Sequence, residues 1–185
     1  MNTVQPIRNK QDIERMKAVL RRKSLRDYIL FILGCNSALR VGDLLRLRVR
    51  DVRDARGNML DHISLREEKT GKFKRFKLPA SITKEIADYV VGMADDSPLF
   101  PSRRGGGAIS SVQAWRILSG AAHVLNLRDI GTHSMRKTFG YHAYRKTKDV
   151  ALLQTILNHT SQSDTLRYLG IDDDEVEKAL EGFEL

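Results

Sequence analysis

Three short constellations in this chain combine residue types that can handle a phosphate. The first is His133-Ser134-Met135-Arg136. On a helix, positions i and i+3 share a face, so the imidazole and the guanidinium project together. Such a pair suits a phosphate group. Arginine gives bidentate, charge-assisted hydrogen bonds, and histidine donates a bond or moves a proton. The second is Arg40, set between the apolar end of one segment and Leu44, Leu45 and Leu47, with Asp43 three residues on. An arginine placed between apolar segments needs an anion or an acid partner. The third is His159 in Leu157-Asn158-His159-Thr160-Ser161, followed nine residues later by Tyr168. A tyrosine whose ionised form is favoured by neighbouring cations can accept a phosphoryl group. Each has a plainer reading: a chance His-x-x-Arg, a surface arginine paired with Asp43, a tyrosine packed in the core.

Other phosphate and metal chemistries are excluded. Gly105-Gly106-Gly107 is not followed by Lys-Ser or Lys-Thr, and Gly71-Lys72 lacks the upstream glycine of a nucleotide-binding loop. The histidines His62, His123, His133, His142 and His159 form no His-x-x-x-His pair, and no nearby cysteine or carboxylate completes a metal set. Asp172-Asp173-Asp174-Glu175 lacks the spacing and glycine of a calcium loop; acids there suit a helix start. No metal and no cofactor are expected. The single cysteine, Cys35, rules out an internal disulfide framework and fits a reducing cytoplasm.

The elements that must position these residues are mainly helical. Leu25, Tyr28, Ile29, Ile32 and Leu33 follow the spacing of a buried helix face, with Ser24 as its cap. Ile13, Met16 and Leu20 mark a helix before it, and Ile82, Ile86, Tyr89, Val90 and Met93 mark one after it. Val112, Trp115, Leu118, Ala122 and Leu125 predict a further buried stripe, capped by Ser110 or Ser111. Val150, Leu153, Ile156 and Leu157 line a later helix, and Val176, Ala179, Leu180 and Phe183 stripe the C-terminal segment. Between about residues 50 and 79 the pattern changes. Arg56-Gly57-Asn58 signals a turn, Ile63 and Leu65 alternate with polar residues, and Phe73, Phe76 and Leu78 follow Lys69-Thr70-Gly71-Lys72. This predicts a small antiparallel sheet with a hairpin near Thr70-Gly71. The fold class is therefore α+β, mainly helical.

At 185 residues the chain suits one domain with a sizeable core, and no apolar run approaches a membrane span. The net charge of +9 is uneven. Residues 172–185 hold seven acids against Lys178, a net −6, so residues 1–171 carry +15. A basic body points first to nucleic acid as its partner.

Taken in order and spacing, Arg40, Lys69 of the hairpin, His133-x-x-Arg136, His159 and Tyr168 resemble the catalytic set of the tyrosine recombinases, the phage integrase family. Lys69-Thr70-Gly71-Lys72, Pro98-Leu99-Phe100-Pro101, Thr138-Phe139 and Arg167-Tyr168-Leu169-Gly170-Ile171 extend the resemblance over nearly the whole chain. Asn158 stands where many members have glycine, and Lys137 where many have histidine. The resemblance implies a catalytic domain over residues 1–171, an acidic C-terminal helix over 172–185, and no separate N-terminal core-binding domain. It implies a site-specific recombinase that cuts and rejoins double-stranded DNA through a 3′-phosphotyrosyl intermediate, without metal. Tyr168 would be the nucleophile, Arg40 and Arg136 the phosphate grip, Lys69 the acid for the leaving oxygen. His133 would assist proton transfer, His159 would donate to the phosphate, and Asp43 would buttress the site. A homo-oligomer is implied, tetrameric on DNA and weak or monomeric without it, with the tail docking on a neighbour or on its own body. Two other readings stay open: a type IB topoisomerase-like enzyme, and a non-catalytic DNA-binding module derived from an integrase.

Overall fold

The computed structural model of the chain describes residues 4–171. Helix α1 (Lys10–Lys23) starts at Asn9, whose side chain accepts the Gln11 N–H at 2.8 Å. Helix α2 (Leu25–Ser37) follows at once, with Ser24 at the cap position but no side-chain capping bond. Its run Tyr28–Leu33 is buried on every face, because α1, α4 (Ala80–Tyr89) and α6 (Thr132–Thr147) all pack on it. An all-round apolar helix is the signature of such a central position. It ends at the fully buried Ala38, with φ 54°. That left-handed conformation costs a non-glycine residue about 1–2 kcal/mol. The turn delivers Arg40 to the start of the short helix α3 (Val41–Leu45).

The expected sheet over about 50–79 is shorter than its sequence pattern. It consists of β1 (His62–Arg66) and β2 (Phe73–Lys77), antiparallel, with Leu65 opposite Lys74 and Ile63 opposite Phe76. Residues 49–51 instead form a 3-10 turn, and the Arg56-Gly57-Asn58 turn is closed by an isolated Arg53–Met59 bridge. The hairpin turn lies where expected. Gly71, at φ 66°, donates its N–H to the Glu67 carbonyl at 2.8 Å.

Helix α5 (Ser111–Val124) is capped by Ser110, which accepts the Gln113 N–H at 3.1 Å. Its predicted stripe is only half buried. Leu118 and Ala122 are in the core, whereas Val112 and Trp115 are 58% and 50% exposed. The core-facing side of α5 runs through Ala114, Leu118 and Ala121, one position round from the larger apolar residues. Helices α7 (Val150–Leu157) and α8 (Gln162–Leu169) complete the described chain. The N-terminal segment ties α6 to the end of α8. The Ile7 N–H donates to Thr138 Oγ1 at 2.9 Å, and Arg8 Nη2 donates to the Gly170 carbonyl at 3.1 Å.

Two apolar clusters result. The larger gathers α1–α5, the hairpin and Met135 of α6. The smaller joins Ala38, Tyr141, Leu153, Leu157, Leu169 and Ile171, with Phe139, Leu166 and Tyr168 against it. The tail, with its expected stripe, lies outside the described residues.

Candidate active site

The chemistry-bearing residues meet on the seam between the two clusters. Helix α6 opens with Gly131 and Thr132, so His133 and Arg136 occupy its first turn and project together, as their spacing predicts. Arg136 is 2% exposed. Its Nη1 donates to the Ala38 carbonyl at the left-handed turn, and its Nη2 donates to the Leu157 carbonyl at the end of α7. These bonds satisfy two carbonyls that helix ends leave open, and they fix the plane of the guanidinium. Burial pulls the Arg136 pKa down, and the Arg40 cation adds to this, while Tyr168 and Glu67 oppose it.

Arg40 reaches the same spot from the α2–α3 turn. Its acid partner is Glu67, not Asp43: Arg40 Nη1 lies 3.1 Å from Glu67 Oε1. Glu67 is 3% exposed, accepts the Thr70 hydroxyl at 2.8 Å, and has Lys74 Nζ 3.7 Å away. Burial works to raise the Glu67 pKa, yet Thr70, Lys74 and Arg40 outweigh it and hold the carboxyl below its ordinary value. Asp43 acts one step away. Its Oδ1 accepts the Glu68 N–H at 2.9 Å, so it ties α3 to the hairpin beside Lys69. Lys69 itself is exposed on the turn, near enough to His133 to depress the imidazole.

Tyr168 lies on α8, within the site. Its ring stands edge-on to His159, with centroids 4.9 Å apart, and Lys137 Nζ lies 5.0 Å from the ring centre. Burial raises the phenol pKa, against the opposing pull of Arg136 and Arg40. His159 follows the left-handed Asn158 cap of α7, and its Nδ1 meets Thr165 Oγ1 at 3.2 Å. The ring of His133 still meets solvent. Burial lowers the pKa of both imidazoles below its ordinary value, and the cations Arg136 and Arg40 lower it further, so the neutral form prevails at pH 7.

The six expected residues therefore come from five places in the fold. Arg40, Arg136, His159 and Tyr168 converge, His133 lies on the rim, and Lys69 stands on the hairpin above it. Sequence reading missed Glu67 and Lys74. The only signal for them was a carboxylate and a lysine flanking the Lys-Thr-Gly-Lys turn. Arg40 Nη1 and the Tyr168 hydroxyl are both buried without a well-aimed hydrogen-bond partner among the described residues. Buried donors carry a cost until an acceptor meets them, and an anionic oxygen between the two arginines would be such an acceptor. Among the described residues no group of three or more His, Cys, Asp or Glu could hold a metal ion, and no helix is long and apolar enough to cross a membrane.

Comparison with known proteins identifies relatives of the chain and of its fold. "Probable integrase/recombinase YoeC" of Bacillus subtilis (strain 168) is 47% identical over 183 residues, covering 99% of this chain and 98% of that protein. Tyrosine recombinase XerA of Pyrococcus furiosus is 26% identical over 92% of this chain, which spans 59% of the XerA sequence. A crystal structure of XerA recombinase superposes with a TM-score of 0.76 at 21% identity, covering 95% of this chain and 64% of that one. The catalytic domain of bacteriophage HP1 integrase gives 0.61 at 17% identity, covering 96% and 95%. XerH bound to its palindromic difH substrate, in a post-cleavage complex, gives 0.73 at 18% identity over 96% of this chain and 53% of that one. These structures share the fold. The phage integrase family model matches residues 8–175, and the chain belongs to the phage integrase family.

Proposed function

We propose that the chain is a site-specific DNA recombinase that cuts and rejoins double-stranded DNA through a 3′-phosphotyrosyl intermediate. One observation carries the reading. The Tyr168 hydroxyl is buried beside the Arg136 guanidinium with no well-aimed acceptor among the described residues, and Arg40, paired with Glu67, and His159 share those surroundings. A scissile phosphate seated there would take its non-bridging oxygens against Arg40 and Arg136, which stabilise the charge that builds during attack. Tyr168 Oη attacks the phosphorus and the P–O5′ bond breaks. The phenol is protonated at pH 7, so its proton must leave during attack, and the neutral imidazole of His133 is a competent acceptor. The departing O5′ takes a proton from Lys69. His159 donates to a phosphate oxygen, and Asp43 steadies the hairpin that carries Lys69. The phosphotyrosyl bond conserves the energy of the phosphodiester, so a second 5′-hydroxyl can reverse the step without a nucleotide cofactor.

The basic body supports duplex DNA as partner, since phosphate neutralisation supplies sequence-independent affinity. Residues 1–171 would form the catalytic unit, the acidic segment 172–185 would serve contacts between copies assembled on DNA, and the reaction would take place in the cytoplasm. The test uses nicked suicide duplexes of random sequence, from which covalent complexes are trapped and sequenced. Wild-type protein should form an adduct, and Tyr168→Phe should bind DNA without forming one. A normal phosphotyrosyl adduct with Tyr168→Phe refutes the assignment. Plasmid relaxation without strand exchange would move the chain to the topoisomerase-like reading.

A further inference from the structure

Lys74, five residues beyond Lys69, faces the opposite way. Its side chain is 16% exposed, while its strand neighbours Phe73 and Arg75 face solvent. The alternation of β2 turns Lys74 and Phe76 inward together. Lys74 Nζ donates to the Ile156 carbonyl at 3.0 Å and to the Ala38 carbonyl at 3.3 Å, and it lies 3.7 Å from Glu67 Oε1. Two of these groups also serve an arginine of the site, and the third is next in the chain to one that does. The Ala38 carbonyl accepts Arg136 Nη1, Ile156 precedes the Leu157 carbonyl that accepts Arg136 Nη2, and Glu67 holds Arg40. A lysine with a flexible four-carbon stem could reach water, yet this one stays inside and bonds only to these supports.

We infer that Lys74 is a positioning residue for the DNA transesterification. It pins the Ala38 turn, the end of α7 and the Glu67 carboxylate together, so that Arg136 and Arg40 present their remaining N–H groups to one phosphate. The inference rests on the recombinase reading above. It differs from the role given to Lys69, because Lys74 acts through the arginines and transfers no proton to the leaving oxygen.

The charge environment makes this support sensitive to pH. Burial lowers the Lys74 pKa to about 8, with Arg136 of α6 and Arg40 of the α2–α3 turn adding to the effect. Glu67 of the hairpin and Asp43 of α3 oppose it. Between pH 7 and 9 the ammonium loses its proton, the Glu67 pairing goes with it, and the arginine supports loosen.

The test uses the full chain on a duplex recovered by the random-sequence trapping described above. Lys74→Met should keep DNA affinity within about threefold and lose about 100-fold in kcat for adduct formation, the scale of a misplaced catalytic group. Wild-type kcat should decline above an apparent pKa near 8, whereas Lys74→Arg should recover most of the activity without that alkaline limb. A 5′-bridging phosphorothiolate, whose leaving group needs no proton, should rescue Lys69→Ala and not Lys74→Met. Rescue of Lys74→Met would overturn the inference by making Lys74 the leaving-group acid. An unchanged kcat in Lys74→Met overturns it too, as does a loss that only tracks the unfolded fraction measured by circular dichroism. Absence of any adduct with wild-type protein would instead refute the recombinase reading itself.

Discussion

Replacing Glu67 by glutamine removes one charge at almost constant volume, so it isolates the ion pairing under the two arginines. The carboxylate is 3% exposed, 3.1 Å from Arg40 Nη1 and 3.7 Å from Lys74 Nζ. At an effective dielectric of about 20, unit charges at those separations attract by roughly 5 and roughly 4 kcal/mol. Desolvation of the carboxylate offsets most of that sum. Glutamine keeps an acceptor for the Thr70 hydroxyl, and Lys74 can shed its proton once Glu67 is neutral. The net loss is therefore set at about 3 kcal/mol, the lower end for breaking a buried pair. For a chain of this size that lowers Tm by about 6–12 °C. The pH dependence follows from the depressed carboxyl pKa. The stabilisation is present above the unfolded value of about 4.3 and is lost as pH falls through the lower folded value. Scanning calorimetry of both proteins from pH 3 to 8 should show a gap that is full at pH 7 and closes under acid conditions. A gap below about 2 °C at pH 7, or one that does not shrink as pH falls below about 4, refutes the pairing scheme.

A second expectation concerns Gly140→Ala: the new Cβ would lie 2.3 Å from Leu169 Cδ2, beside Tyr168. Overpacking of this kind costs about 1–3 kcal/mol, and the displaced α8 should slow adduct formation more than it weakens DNA binding, as read by single-turnover kinetics and a binding titration. A third concerns the two imidazoles, which the fold holds below their ordinary pKa. As pH falls through about 6.5 the unfolded chain takes up protons first, so stability drops until the lower folded values are reached. The double variant His133→Asn, His159→Asn should show a flatter plot of Tm against pH over that window.

Local spacing made much of the site legible. His133 and Arg136 needed only one helical turn, and the Lys-Thr-Gly-Lys turn announced its hairpin. Asn158 shows why a departure from the family pattern is harmless: its φ of 51° is a conformation that glycine adopts freely and asparagine tolerates. The supports of the arginines were not legible, because they are long-range. Glu67 meets Arg40 from a different element, and nothing in the spacing of one predicts the other. In Phe73-Lys74-Arg75-Phe76 the two aromatics stand three apart, so a strand cannot bury both on one face. Phe73 is 65% exposed and the lysine goes inside. Trp115 misled for a similar reason. Its ring packs at the surface over Gly131, where an added Cβ would come within 3.1 Å of Trp115 Cδ1, so its large apolar area does not report a core position.

The division into two apolar clusters has a consequence for timing. Tyr168 and His159 belong to the segment built on the smaller cluster, whereas Leu39 and Leu44, which flank Arg40, belong to the larger. Local opening follows the amount of buried apolar contact, so α7 and α8 should exchange their amide hydrogens through smaller openings than α2. Tyr168 thus rides on the less extensively buried unit, and the Arg136 bond to the Leu157 carbonyl ties one arginine to that same unit. Opening of α7 and α8 would withdraw Tyr168 and loosen the seat of Arg136 in a single event, so both depend on the same few apolar contacts.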